Sequence, residues 1–215
     1  MKIFLDTADI DAVAEAAKTG LIAGVTTNPS QVMKSGKRLP EVIKRICAIV
    51  SGPVSAQAMA ESAEALVEEA MRIQCLAPNV YVKMPMTLEG LRAVRILELE
   101  RNVRTNVTMI FSPIQAFLAM EAGATLVSIV LSRLDAIAVD SAGLVTDSVN
   151  IKRNFGYKSE ILAASLKTQN HVLTCLRAGV DIITLPPSLF FQMYEHSLTD
   201  SGLAQFKNDW DKLPK

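Results

Sequence analysis

Histidine is almost missing from this chain: His171 and His196 are the only two among 215 residues. A His-rich metal centre is therefore excluded. Cysteine is scarcely commoner. Cys47, Cys75 and Cys175 are odd in number, far apart and in no CxxC spacing. They read as buried small hydrophobes in a reducing compartment, with disulfide or metal roles not expected. Net charge is absent too, because 22 Lys and Arg balance 22 Asp and Glu. No global field favours nucleic acid or an anionic membrane, so a bound anion must be held by a local cluster. No apolar run is long enough to span a bilayer, and Asp6 interrupts the N-terminus too early for a secretory leader. The expected location is the cytoplasm. A glycine-rich phosphate loop is also lacking after the first strand, where Asp6-Thr7-Ala8-Asp9 stands instead.

What is present is an alternation of short buried strands with helical periods. Ile3 to Leu5 reads as a strand ending at Asp6, and Thr7 to Lys18 as a helix. Strand Ile22–Val25 leads through Thr26-Thr27-Asn28-Pro29-Ser30 to a helical stretch reaching Ile49. Strand Pro53–Ala56 and helix Ser62–Gln74 follow. A fourth strand ends at Lys83, with its helix from about Thr87 to Leu99. The second half repeats the scheme, with strands at Val103–Val107, Thr125–Val130, Ile161–Ala164 and Asp181–Thr184. Helices are expected over Pro113–Glu121, about Leu134–Arg153 and Thr168–Ala178, then from Pro187 to Tyr194. A last amphipathic helix runs from Thr199 to Leu213, with Asp200 placed to cap it.

Eight such units without a linker predict one α/β domain over residues 1–215, a closed (β/α)8 barrel. About 199–215 would form a C-terminal helical extension. A doubly wound open sheet is the competing architecture, and it would want the glycine loop that is missing.

In such a barrel, chemistry collects at the C-terminal ends of the strands. Read in order, those ends are Asp6, then Thr26, Thr27 and Asn28, Gln57, Lys83, Asn106 and Thr108. Ser128 and Arg133, Ser165 and Lys167, and Thr184 complete the circuit. Lys83 lies between apolar neighbours before Met84-Pro85. A buried ammonium loses hydration, which lowers its pKa and frees an amine able to form a Schiff base. Asp6 is a carboxylate suited to moving a proton to and from a hydroxyl. Gln57 and Thr108 can hold a water between them. Arg133, Ser165 and Lys167 offer two cations and a hydroxyl suited to a phosphate dianion. No acidic cluster suggests a divalent metal, and no cofactor is implied. Singly, each has a plainer reading: Lys83 snorkelling to water, Thr26 and Asn28 in a turn, Asn106 a satisfied core amide, Arg133 and Lys167 solvated helix starts. Their convergence on one mouth is harder to explain structurally.

The motifs Phe4-Leu-Asp-Thr-Ala8, Gly24-Val-Thr-Thr-Asn-Pro-Ser30, Val82-Lys-Met-Pro-Met-Thr87, Thr105-Asn-Val-Thr108 and Ala163-Ala-Ser-Leu-Lys167 together resemble the small transaldolase and fructose-6-phosphate aldolase family. The likeness covers nearly the whole chain, through Leu198-Thr-Asp200 to Trp210. It implies Lys83 as the Schiff-base lysine and Asp6 as the proton-transfer residue. Thr26, Asn28, Asn106 and Ser128 become substrate contacts, and Arg133, Ser165 and Lys167 the phosphate group. It implies sugar phosphates as substrates, and a homo-oligomer, a decameric ring with an exchanged C-terminal helix.

Two positions depart from the family's patterns. Gln57 stands where transaldolases carry glutamate and the aldolases glutamine. Val130 stands where both carry an aromatic residue. The glutamine points to the aldolase; the missing tyrosine hydroxyl, with Asn106, points to transaldolase. Transaldolase is the reading taken, with the aldolase as its alternative. A non-catalytic sugar-phosphate binder on the same barrel would be expected to have lost Lys83 or Asp6, and both are present.

Overall fold

The computed structural model describes residues 1–214; Lys215, the last residue of the expected extension, lies outside them. Eight strands close into a parallel barrel in sequence order. They are β1 (Lys2–Asp6), β2 (Ile22–Thr26), β3 (Val54–Gln57), β4 (Val80–Pro85), β5 (Thr105–Ile110), β6 (Leu126–Val130), β7 (Glu160–Ala164) and β8 (Ile182–Leu185). Closure is made by β1, which pairs with β2 on one side and β8 on the other. Eleven helices surround it: α1 (Ile10–Ala17), α2 (Pro29–Lys34), α3 (Leu39–Ile49), α4 (Ala63–Gln74), α5 (Leu88–Glu100) and α6 (Pro113–Glu121). The others are α7 (Ser132–Asp135), α8 (Ser141–Phe155), α9 (Gln169–Ala178), α10 (Pro187–Gln192) and α11 (Ser197–Trp210).

Alternation along each strand divides the core in two. Outward-facing residues such as Val25, Val54, Val82 and Val107 pack against the helices in one large apolar layer. Inside the barrel, Phe4, Leu126, Leu162 and Ile182 form a smaller cluster, against which Tyr81 packs. Gly24 makes room for that plug. A Cβ there would lie 2.6 Å from both the Phe4 ring and the Pro53 carbonyl. Above the plug the inward positions turn polar, and they constitute the mouth.

The expected strand order and helical alternation are present, with five local differences. The stretch from Pro29 to Ile49 is two helices, because Gly36 takes φ +66° and Pro40 starts a new first turn. The region from Leu134 to Arg153 is likewise broken. Ala138 adopts φ +58°, and Asp140 caps α8 by accepting from Ala142 N at 2.9 Å. Strand β5 starts two residues later than expected and runs to Ile110 through a bulge. Strand β4 continues past Lys83 to Pro85, which sinks the lysine below the rim. Finally, Asp200 does not cap α11. His196 Nδ1 does, accepting from Leu198 N at 3.2 Å, and Asp200 lies in the first turn.

At the opposite end of the barrel two carboxylates anchor strand starts. Glu98 accepts from the backbone N–H and the hydroxyl of Thr105 and of Thr125. Asp181 accepts from Ile161 N at 2.7 Å and pairs with Lys152 at 2.6 Å.

Candidate active site

Lys83 is the centre of the mouth. It is 8% exposed, flanked along β4 by the fully buried Val82 and Met84. Its Nζ donates to the Thr27 carbonyl at 2.9 Å. An ammonium has three N–H groups to satisfy, and among the described residues this is the one hydrogen bond it makes. Among the described residues no carboxylate comes within ion-pair distance of it. Burial therefore pushes the Lys83 pKa down, while the charge of Asp6 pulls weakly the other way. That is the environment of a nucleophilic amine.

Asp6 ends β1 level with Thr26 on β2. Its Oδ1 accepts from Thr26 Oγ1 at 3.1 Å and from Gln31 Nε2 at 2.9 Å. Thr26 in turn shares a 2.8 Å bond with Thr184 Oγ1 across the barrel. Asn28 acts as the N-cap of α2: its Oδ1 accepts from Gln31 N at 3.0 Å, and Gln31 Oε1 accepts from Asn28 N at 3.1 Å. This reciprocal pair is a capping box.

On the other side of the lysine, Gln57 is in register with Lys83, and Thr108 stands two residues above Asn106 on β5. Thr108 faces the mouth by strand alternation, two residues after the inward Asn106, and at the β5 bulge Met109 takes φ +65°. Gln57 Nε2 donates to its neighbour's carbonyl, Ala58 O, at 3.4 Å, and no direct bond joins it to Thr108 among the described residues. Beneath them lies a buried polar layer. Asn106 donates to Ser55 Oγ at 2.9 Å and accepts from Ser128 Oγ at 2.6 Å.

Arg133, in the short helix α7 after β6, and Lys167, in the loop after β7, are exposed, and neither has a carboxylate partner among the described residues. Ser165 takes φ +59° and shares a 2.6 Å hydrogen bond with Ser132, which ties the two loops together. A second tie runs below it. His171 Nδ1 accepts from Lys167 N at 3.1 Å while its Nε2 lies 2.9 Å from Asp135. Val130 is buried in the mouth wall beside Ala164. An open groove of about 800 Å³, lined by Gln57, Met59, Leu88 and Met109 among others, adjoins the β3–β5 side.

The expected residues thus gather at one end of the barrel. Asn106, in register with Lys83, and Ser128 are buried and bonded to each other. Sequence reading missed Gln31, Ser55, Ser132 and the His171–Asp135 pair. Only Gln31 left a local signal, since Asn28-x-x-Gln31 is a capping-box spacing. The others depend on which strands become neighbours.

Comparison with known proteins points to one family. The model of the transaldolase/fructose-6-phosphate aldolase family matches residues 3–215. A probable transaldolase of Geotalea uraniireducens is 45% identical over the full length of both chains. One from Cereibacter sphaeroides is 47% identical, covering 99% of this chain and 96% of its own. Among solved structures, thiamine phosphate pyrophosphorylase of Pyrococcus furiosus superposes with a TM-score of 0.58 at 14% identity, covering 86% of this chain and 85% of its own. That last likeness concerns the barrel alone. With a family model spanning nearly every residue and full-length relatives far above 30% identity, this chain belongs to the transaldolase/fructose-6-phosphate aldolase family.

Proposed function

We propose that this protein is a transaldolase, moving a dihydroxyacetone unit between sugar phosphates through a Schiff base on Lys83. The observation that carries the reading is a lysine buried at the mouth with one carbonyl partner and a carboxylate across from it. The neutral amine adds to the donor's ketone, and loss of water gives the iminium. Asp6 then accepts the proton of the hydroxyl one carbon beyond the iminium-bearing centre's neighbour, and the carbon–carbon bond between them breaks. An aldehyde leaves, and an enamine remains on Lys83. The enamine adds to the acceptor aldehyde, Asp6 returns the proton, and water releases the new ketose. Gln57 and Thr108 are assigned to that water, on either side of Lys83. Arg133, Ser165 and Lys167 receive the phosphate; two cations without internal partners support this role. Thr26 and Asn28 would meet substrate hydroxyls, the latter through its amide nitrogen. Asn106, level with Lys83, and Ser128 would likewise be substrate contacts.

Residues 1–215 are read as one domain, with the segment from about 199 exchanged onto a neighbour in a decameric ring. Support comes from α11, which buries none of its residues against its own barrel. Among the described residues no helix is long and apolar enough to cross a membrane. The three free cysteines suit a reducing compartment such as the cytoplasm, although only Cys175 is buried as expected; Cys47 is half-buried, and Cys75, at the C-cap of α4, is exposed. The deciding experiment is incubation with fructose 6-phosphate, with and without erythrose 4-phosphate. Sedoheptulose 7-phosphate formed only with the acceptor is the expected result. Free dihydroxyacetone without an acceptor would make the protein a fructose-6-phosphate aldolase instead.

A further inference from the structure

We infer that Gln31 is a positioning residue for Asp6, holding one carboxylate oxygen so that the other does the proton transfer. The inference rests on the reading of Asp6 as the acid–base group. Gln31 belongs to α2, yet its side chain reaches back to β1. Its Nε2 donates to Asp6 Oδ1 at 2.9 Å and to the Asp6 carbonyl at 3.1 Å, while its Oε1 accepts from Asn28 N at 3.1 Å. The orientation of this amide follows from its partners. A backbone N–H can only donate and a backbone carbonyl can only accept, so one of the two flips satisfies both. In that flip the group facing Asp6 Oδ1 is an N–H.

The two oxygens of Asp6 are thereby made unequal. Oδ1 takes donors from Gln31 and from Thr26. Among the described residues no donor reaches Oδ2. A carboxylate oxygen already accepting two hydrogen bonds is the poorer proton acceptor, which leaves Oδ2 for the substrate hydroxyl. The bond to the Asp6 carbonyl fixes the strand end as well as the side chain. General acid–base transfer depends on such geometry, and small misplacements of the reacting group lower rates steeply.

A helix cap alone would also explain a glutamine here, so the test must separate the two roles. Gln31→Glu keeps an acceptor for Asn28 N, and glutamate is a favoured residue at this place in a capping box. It replaces the N–H facing Asp6 by a second carboxylate. Gln31→Leu removes both the cap bond and the donor. If Gln31 positions Asp6, both variants lose kcat for transfer, on the order of 10- to 100-fold. In both, KM for the phosphorylated donor and the yield of the borohydride-reduced Lys83 adduct with dihydroxyacetone stay at parental values. Forming that adduct involves no carbon–carbon cleavage. Thermal melting of Gln31→Glu matches the parent. A Gln31→Glu protein with parental kcat would leave Gln31 as a cap only and overturn the inference. If the parent itself forms no adduct at Lys83, the reading of the site falls, and this inference with it.

Discussion

A lysine among fully buried neighbours, with one hydrogen bond for its three N–H groups among the described residues, destabilises the barrel whenever it carries charge. Burial holds its pKa below the ordinary 10.5. The folded protein therefore releases this proton at a pH where the unfolded chain still keeps it. Between the lowered value and 10.5 the unfolded state binds more protons, so this residue makes stability rise with pH through that window. Lys83→Met, which keeps the apolar stem and removes the amine, is expected to be inactive and more stable than the parent. Its advantage should be largest on the acid side of the window and shrink as the pH approaches 10.5. Urea titrations of both proteins across that range would check it. A constant difference, or a less stable variant, would contradict the account of a penalised charge. The exposed cations behave otherwise. Arg133→Ala or Lys167→Ala should remove a charge-assisted contact of about 1.5–3 kcal/mol, read as a higher KM for phosphorylated donors. Dihydroxyacetone, which lacks the phosphate, should be used nearly as well as by the parent. Lys83 and Asp6 were legible in the sequence because strand ends can be read from apolar runs. The capping-box spacing of Gln31 was legible, but its bond to Asp6 was not, because it joins helix α2 to the distant strand β1.

Short apolar runs located all eight strands, since a buried parallel strand is nearly continuous in its hydrophobicity. Boundaries were less legible where one helical period continues across a break. Gly36 and the pair Ala138 and Asp140 interrupt the chain through backbone conformation, which periodicity does not record. The β5 bulge, where Met109 takes a positive φ, was invisible for the same reason. Two non-glycine residues with positive φ, Met109 on β5 and Ser165 just after β7, stand at the mouth. Each conformation costs about 1–3 kcal/mol, which the rest of the barrel must offset. Part of that offset comes from the far end. Glu98 sits in the last turn of α5, where the helix dipole disfavours an acid. It is retained there as the acceptor for two strand starts, Thr105 on β5 and Thr125 just before β6. Glu98→Ala would leave both backbone N–H groups unpaired in a largely buried place. The expected loss is about 2–5 kcal/mol, measured by chemical denaturation, with KM unchanged because the site lies at the other end. A loss within experimental error would mean that water replaces the carboxylate freely.

At the scale of the whole molecule, α11 is the element that its own barrel does not explain. Leu203, Phe206 and Trp210 follow a helical spacing, and they are 62%, 70% and 74% exposed. A surface helix normally earns its place by burying such a stripe, and propensity alone does not hold one together. Burying the two aromatic side chains would take roughly 300–500 Å² out of water, a gross gain on the order of 10 kcal/mol. That is comparable to the loss of translational and rotational freedom on association, about 4–15 kcal/mol, so the stripe can drive assembly when a ring repeats it. The expected partner is the same chain, as the family resemblance implies. Phe206→Ser combined with Trp210→Ser, in the intact protein, should therefore lower the mass measured by light scattering. Because α11 buries nothing in its own barrel, the barrel's helical circular dichroism should change little. Transfer activity would be read on the same fractions, which separates a role in assembly from a role in catalysis. A double variant with the parent's mass would show that this stripe does not hold the copies together.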